Sequence, residues 1–77
     1  MRFRIKVRGS SGDEWWEDQD REIGPQNRVR GYGVQPDFTG DIDQWGHDII
    51  KWYNKDVPPG RHRTFIKAEL ITEDNNA

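Results

Sequence analysis

Residues 2 to 8 alternate without a break, with Phe3, Ile5 and Val7 apolar and Arg2, Arg4, Lys6 and Arg8 cationic. Period two over a segment of that length predicts a strand with one buried face. Gly9-Ser10-Ser11-Gly12 reads as a turn. Asp13 to Ile23 then reads as a second strand folded back on the first. Taken as a four-residue loop, the turn sets Arg8 opposite Asp13, Lys6 opposite Trp15 and Arg4 opposite Glu17. That register matches charges across the pair and buries Trp16 beside Ile5. Gly24-Pro25-Gln26-Asn27 breaks the chain, and Arg28 to Val34 reads as a further short strand that Gly31 and Gly33 allow to bend. Gln35-Pro36-Asp37-Phe38 is a connector.

The period changes after Thr39-Gly40-Asp41. Ile42, Trp45, Ile49 and Trp52 or Tyr53 recur at steps of three and four, the signature of one helix face. Asp41 with Gln44 has the spacing of a capping box. Asp41 and Asp43 at the start and Lys51 and Lys55 near the end suit the helix dipole. Gly46 lowers helix propensity and permits close approach to the sheet. Pro58-Pro59-Gly60 stops the helix. Arg61 to Thr72 is the last strand, with Thr64, Ile66, Ala68 and Leu70 expected under the helix and Arg63, Phe65, Lys67, Glu69 and Ile71 on the other side. The expectation is an α+β domain in ββ(β)αβ order: a small antiparallel or mixed sheet of three to four strands with one amphipathic helix on one face. Residues 1–72 form this single domain and 73–77 a disordered polar tail.

Composition narrows the picture. Only fifteen of 77 residues are Leu, Ile, Val or Phe, but four Trp and two Tyr add apolar area, and a net charge of −2 is too small for a disordered polyelectrolyte. No apolar run approaches a membrane span, and the charged N-terminal stretch is unlike a signal peptide. With no cysteine there is no disulfide or thiolate zinc site, which is compatible with a reducing cytoplasm.

Charge segregation raises the functional question. Nine of the 12 basic residues fall on expected strands, and six acids crowd between Asp13 and Glu22. A basic open sheet face with Tyr32 and Phe65 as stacking groups is a layout for single-stranded nucleic acid. Against it, the acidic segment can neutralise the basic strands in cross-strand pairs, and the sequence pI near 5.6 favours that. The acidic run can also be read as a phosphate mimic, or as an edge whose charges prevent sheet-to-sheet pairing. Trp15 and Trp16 must face opposite sides of a strand, so one of them is left as an anchor for a partner. Asp43 and His47 have the spacing of two metal ligands on a helix but lack a third. His62 between Arg61 and Arg63 could act as a general base, with no second catalytic group placed for it. Gly31-Tyr32-Gly33 lacks the Lys-Ser/Thr of a phosphate loop.

The segment from Trp45 to Leu70, WGHDIIKWYNKDVPPGRHRTFIKAEL, joins an amphipathic helix, an aromatic-Asn pair, a Pro-Gly stop, a basic pair and a final strand. It resembles the end of many short uncharacterised phage proteins and covers about a third of the chain. The resemblance implies a phage accessory protein acting inside a bacterium, and with the binding reading below, one that modulates a host complex in the host cytoplasm. It assigns no chemistry to any residue.

The sequence therefore leads to a non-enzymatic domain without cofactor or metal that binds a protein partner. Trp15 and Trp16 are the expected anchors, with Arg28, Arg30, Tyr32, Arg61 and Arg63 as further contacts. The alternatives are a nucleic-acid-binding protein using the basic sheet face, and a structural or virion component closing a homo-oligomer.

Overall fold

A computed structural model of the chain describes residues 2–18, 28–35, 37–38 and 40–71, with only the backbone of residues 28 and 34. The acidic run beyond Asp18, the Gly24–Asn27 break and the expected tail at 73–77 lie outside the described residues. Strands β1 (Arg2–Arg8), β2 (Glu14–Asp18) and β5 (Thr64–Ile71) form an antiparallel sheet in the order β2-β1-β5. Between β2 and the helix lies a two-stranded ribbon of β3 (Arg28–Val29) and β4 (Gly33–Val34). The helix α1 (Ile42–Lys55) packs on one sheet face, and a short 3-10 turn (Pro59–Arg61) leads into β5. This is the small α+β fold expected, with the third expected strand replaced by a hairpin. Positive φ at Gly31 (87°) and Gly33 (75°) bends Arg28–Val34 back on itself, a conformation glycine adopts without a Cβ clash.

The helix begins where the sequence indicated. The Asp41 carboxylate accepts from the backbone N–H groups of Asp43 (3.0 Å) and Gln44 (3.1 Å). The reciprocal half of the capping box is not made, because the Gln44 amide donates to Asp48 (3.0 Å) instead. Trp45, Gly46, Ile49 and Ile50 face the sheet and meet Phe3, Ile5 and Val7, all fully buried. Phe3 meets Trp45 edge-on with ring centroids 4.4 Å apart. Val29 and Tyr32 of the ribbon complete this core. Gln35, also buried, holds the ribbon: its side-chain oxygen accepts from the Val29 N–H (2.6 Å) and its amide donates to the Gly33 carbonyl.

Two register features depart from expectation. First, the turn between β1 and β2 has three residues, Ser10–Gly12. Gly9 N–H donates to the Asp13 carbonyl (2.8 Å), Gly12 N–H donates to the Gly9 carbonyl (3.0 Å), and Gly12 takes φ 96°. This is the three-residue hairpin closed by a left-handed glycine. It pairs Arg8 with Glu14, Val7 with Trp15 and Lys6 with Trp16, one residue away from the expected register. A slip of one residue exchanges the two faces. Trp15 thus lies on the helix side, and Trp16 joins the cations on the open side.

Second, β5 carries a bulge: Lys6 pairs with Lys67 but Val7 pairs with Phe65, leaving Ile66 as the extra residue. The expected alternation holds for Ala68 and Leu70 and reverses ahead of the bulge. Phe65 turns under the helix, Thr64 pairs with Arg8 on the open face, and Arg63 moves to the helix side. Leu70 shares its face with Phe3 but is 53% exposed at the sheet edge, so it is not the core residue expected.

Candidate functional site

The open face is a grid whose rows run across the three strands. Strand pairing aligns Glu14, Arg8 and Thr64 in one row, Trp16, Lys6 and Lys67 in the next, and Asp18, Arg4 and Glu69 in the third. The strict alternation of β1 puts its cations along the middle. Side-chain exposures of 41% for Arg4, 50% for Arg8 and 53% for Lys67 show that no described element covers this face.

Trp16 is the aromatic member of the grid. The Arg4 guanidinium stacks 4.1 Å from the indole centroid, with the Lys6 and Lys67 ammonium groups at 5.5 and 5.7 Å. These are cation–π distances. Carboxylates bracket the cations: Arg8 donates to Glu14 through Nε (3.0 Å) and Nη2 (2.7 Å), and Arg4 donates to Glu69 (3.1 Å). Lys6 lies 3.8 Å from Glu14 and Lys67 3.4 Å from Glu69. The hydrogen bond from Arg8 holds Glu14 below the ordinary carboxylate value, and that from Arg4 does the same for Glu69. Basic and acidic groups thus neutralise one another, across strands and along β5, while the face itself stays open.

A second constellation lies on the helix side. The Arg63 guanidinium is surrounded by the rings of Tyr53 (4.5 Å), Trp15 (5.1 Å) and Tyr32 (5.2 Å). It donates to the Tyr32 hydroxyl (2.5 Å) and lies 3.7 Å from Glu17, which also accepts from the Trp15 indole (2.5 Å). Burial pushes the Tyr32 phenol up to about 12, against the opposing pull of Arg63. Asn54 at the end of α1 fixes the Arg63 backbone, accepting from its N–H and donating to its carbonyl, both at 2.8 Å.

The expected contact residues therefore do not form one surface. Trp16 sits on the open face, and Trp15 and Arg63 lie half-buried on the other side. Tyr32 is 5% exposed and Phe65 packs beneath Gly46, so neither can stack a base on the open face. Arg30 and Arg61 are exposed, Arg30 tied through its backbone N–H to the Asp18 carbonyl (2.9 Å). The side chain of Arg28 lies outside the described atoms. His62 contacts the Val57 carbonyl through Nε2 (2.9 Å), a clip on the 3-10 turn, and the His47 ring meets Phe65 edge-on at 5.6 Å. Among the described residues no group of three metal-ligating side chains converges. Sequence reasoning set Trp15 opposite Lys6 and left Arg4, Lys6 and Lys67 out of the expected contacts, whereas Trp16 takes the place opposite Lys6. Alternation had put them on one face, and only the turn length decides which Trp joins them.

No family model, curated protein or solved structure matches this chain. No helix among the described residues is long and apolar enough to cross a membrane.

Proposed function

We propose that this chain is a small non-enzymatic protein-binding domain that docks through the open sheet face, with Trp16 as its anchor. The observation that supports this most is an uncovered sheet face on which the indole of edge-strand β2 is stacked by Arg4, with Lys6 and Lys67 nearby. Tryptophan and arginine are the residue types that most often carry interface energy. The partner is a protein surface that sets carboxylates around an apolar patch, because Arg4, Lys6, Arg8 and Lys67 outnumber Glu14, Asp18 and Glu69 on this face. Nucleic acid is the weaker fit. The expected stacking groups Tyr32 and Phe65 are on the other side of the sheet, so the open face lacks the rings that reading required. The resemblance of Trp45–Leu70 to short phage proteins suggests the setting: an accessory protein acting on a host complex in the bacterial cytoplasm.

The test is capture from nuclease-treated bacterial lysate with the wild-type chain, Trp16→Ala and Arg61→Ala side by side, followed by affinities for the protein retained. Trp16→Ala should weaken binding by about 2 kcal/mol, roughly thirtyfold, while Arg61→Ala leaves it unchanged. Retention that does not depend on Trp16 refutes the docking face. Recovery of nucleic acid alone moves the nucleic-acid reading ahead, and a concentration-dependent oligomer in light scattering without any partner moves the structural reading ahead.

A further inference from the structure

The β1–β2 turn, the end of α1 and the entry to β5 meet in an open cleft of ≈ 220 Å³ lined by Ser10, Ser11, Trp15, Tyr53, Arg61 and Arg63. It lies away from the Trp16 grid, and nothing in the docking proposal uses it. Its lining consists of donors and ring walls. Both charged lining groups are guanidiniums, in a chain whose net charge is −2.

The turn bonds engage the N–H groups of Gly9 and Gly12, so the Ser10 and Ser11 amides and the Ser10 hydroxyl have no partner among the described residues. The Arg61 side chain is exposed and likewise has none. Arg63 uses one Nη for Tyr32 and Glu17, and the other N–H groups of its guanidinium, 24% exposed as a side chain, have no partner among the described residues. The Trp15 and Tyr53 rings and the Asn54 clamp hold Arg63 in place before any ligand arrives, which lowers the entropy cost of binding. Gly9 has a part too: a Cβ there would stand 3.0 Å from Trp15 Cη2 and Cζ3, so the indole comes this close to the turn only because none is present. Two carboxylates stand beside the cleft without lining it: Asp13 accepts from the Ser11 hydroxyl (3.3 Å), and Glu17 accepts from Trp15 and lies 3.7 Å from Arg63.

Two guanidiniums with hydroxyl and amide donors and no lining acceptor of negative charge suit a tetrahedral oxyanion. We propose that this cleft binds a phosphoryl dianion, as a phosphomonoester or as free phosphate, with Arg61 and Arg63 as the charged donors and the Ser10–Ser11 turn completing the site.

The experiment follows the Ser10 and Ser11 amides and the Trp15 indole N–H by NMR during titration of the intact chain with inorganic phosphate, phenyl phosphate, dimethyl phosphate and sodium chloride at constant ionic strength. The expected result is saturable shifts with phosphate and phenyl phosphate, and binding about tenfold weaker in Arg61→Gln, whose exposed position leaves the fold intact. Arg61→Ala supplies an independent check, and an unchanged thermal midpoint confirms that each variant is folded. Tighter binding of phenyl phosphate identifies a phosphomonoester as the source, and equal binding identifies free phosphate. Shifts that stay linear, shifts reproduced by chloride, equal binding of the singly charged diester, or undiminished binding in folded Arg61→Gln would each overturn the assignment.

Discussion

Gly46 sits inside α1, where glycine costs about 1 kcal/mol relative to alanine, so propensity alone makes Gly46→Ala stabilising. Packing opposes it. A Cβ built at Gly46 would stand 2.5 Å from Phe65 Cε1, and 3.1 Å from both Phe65 Cζ and Ile5 Cγ2. Carbon atoms meet comfortably at about 3.5–4.0 Å, so the Phe65 ring would have to retreat by roughly 1 Å. The ring is partly buried and can yield in part, but Ile5 is fully buried at the sheet centre and cannot. Overpacking of this kind costs about 1–3 kcal/mol, which offsets the propensity gain and in most of that range exceeds it. Gly46→Ala should therefore destabilise the chain by about 1 kcal/mol, read as a lower urea midpoint at unchanged slope. Phe65→Leu removes the offending ring edge. In a double-mutant cycle the Gly46→Ala change should cost less when Phe65→Leu is already in place, with a coupling of about 1 kcal/mol. An alanine variant more stable than wild type by the full propensity difference would refute the close-approach argument.

Asn54→Ala should cost about 2 kcal/mol, because it removes two hydrogen bonds to the Arg63 backbone at a part-buried site. For a domain of this size that lowers the thermal midpoint by roughly 8–16 °C. Asn54→Asp, which still accepts from the Arg63 N–H but cannot donate to its carbonyl, should fall between. Stability should also depend on pH at both extremes. Glu14 and Glu69 are held below their ordinary 4.5 in the folded state, so their contribution is complete above that value and is lost as pH falls through the lowered values. Tyr32 is raised from 10.0 to about 12, so the unfolded chain ionises first and stability falls as pH rises through that interval. Chemical denaturation across pH measures both limbs. Tyr32→Phe should abolish the alkaline one, and Glu14→Gln with Glu69→Gln should flatten the acid one.

Local signals were legible wherever one element sufficed to produce them. The period-two pattern of Arg2–Arg8, the three-and-four spacing from Ile42 to Tyr53, the Asp41 cap and the Pro-Gly stop each act within a few residues, and each element lies where they indicate. The α+β architecture with one helix on one sheet face follows from them. The functional surface does not, because it depends on which side of a strand a residue faces. Side chains alternate at every residue, so one residue more or less in a turn or a strand exchanges the faces. A three-residue hairpin closed by Gly12 sent Trp16 rather than Trp15 to the cations, and the bulge at Ile66 sent Arg63 inward and Phe65 beneath Gly46. The β1 strand with its cationic stripe and the helix limits were thus determined by the sequence through short-range preference, whereas Arg28–Val34 became a hairpin and the last strand starts at Thr64, behind a 3-10 turn that takes Arg61. The tryptophan that joins the stripe, and the arginine that lies among aromatic rings instead, were decided only by long-range pairing and packing, where the turn, the bulge and the core must all be satisfied at once.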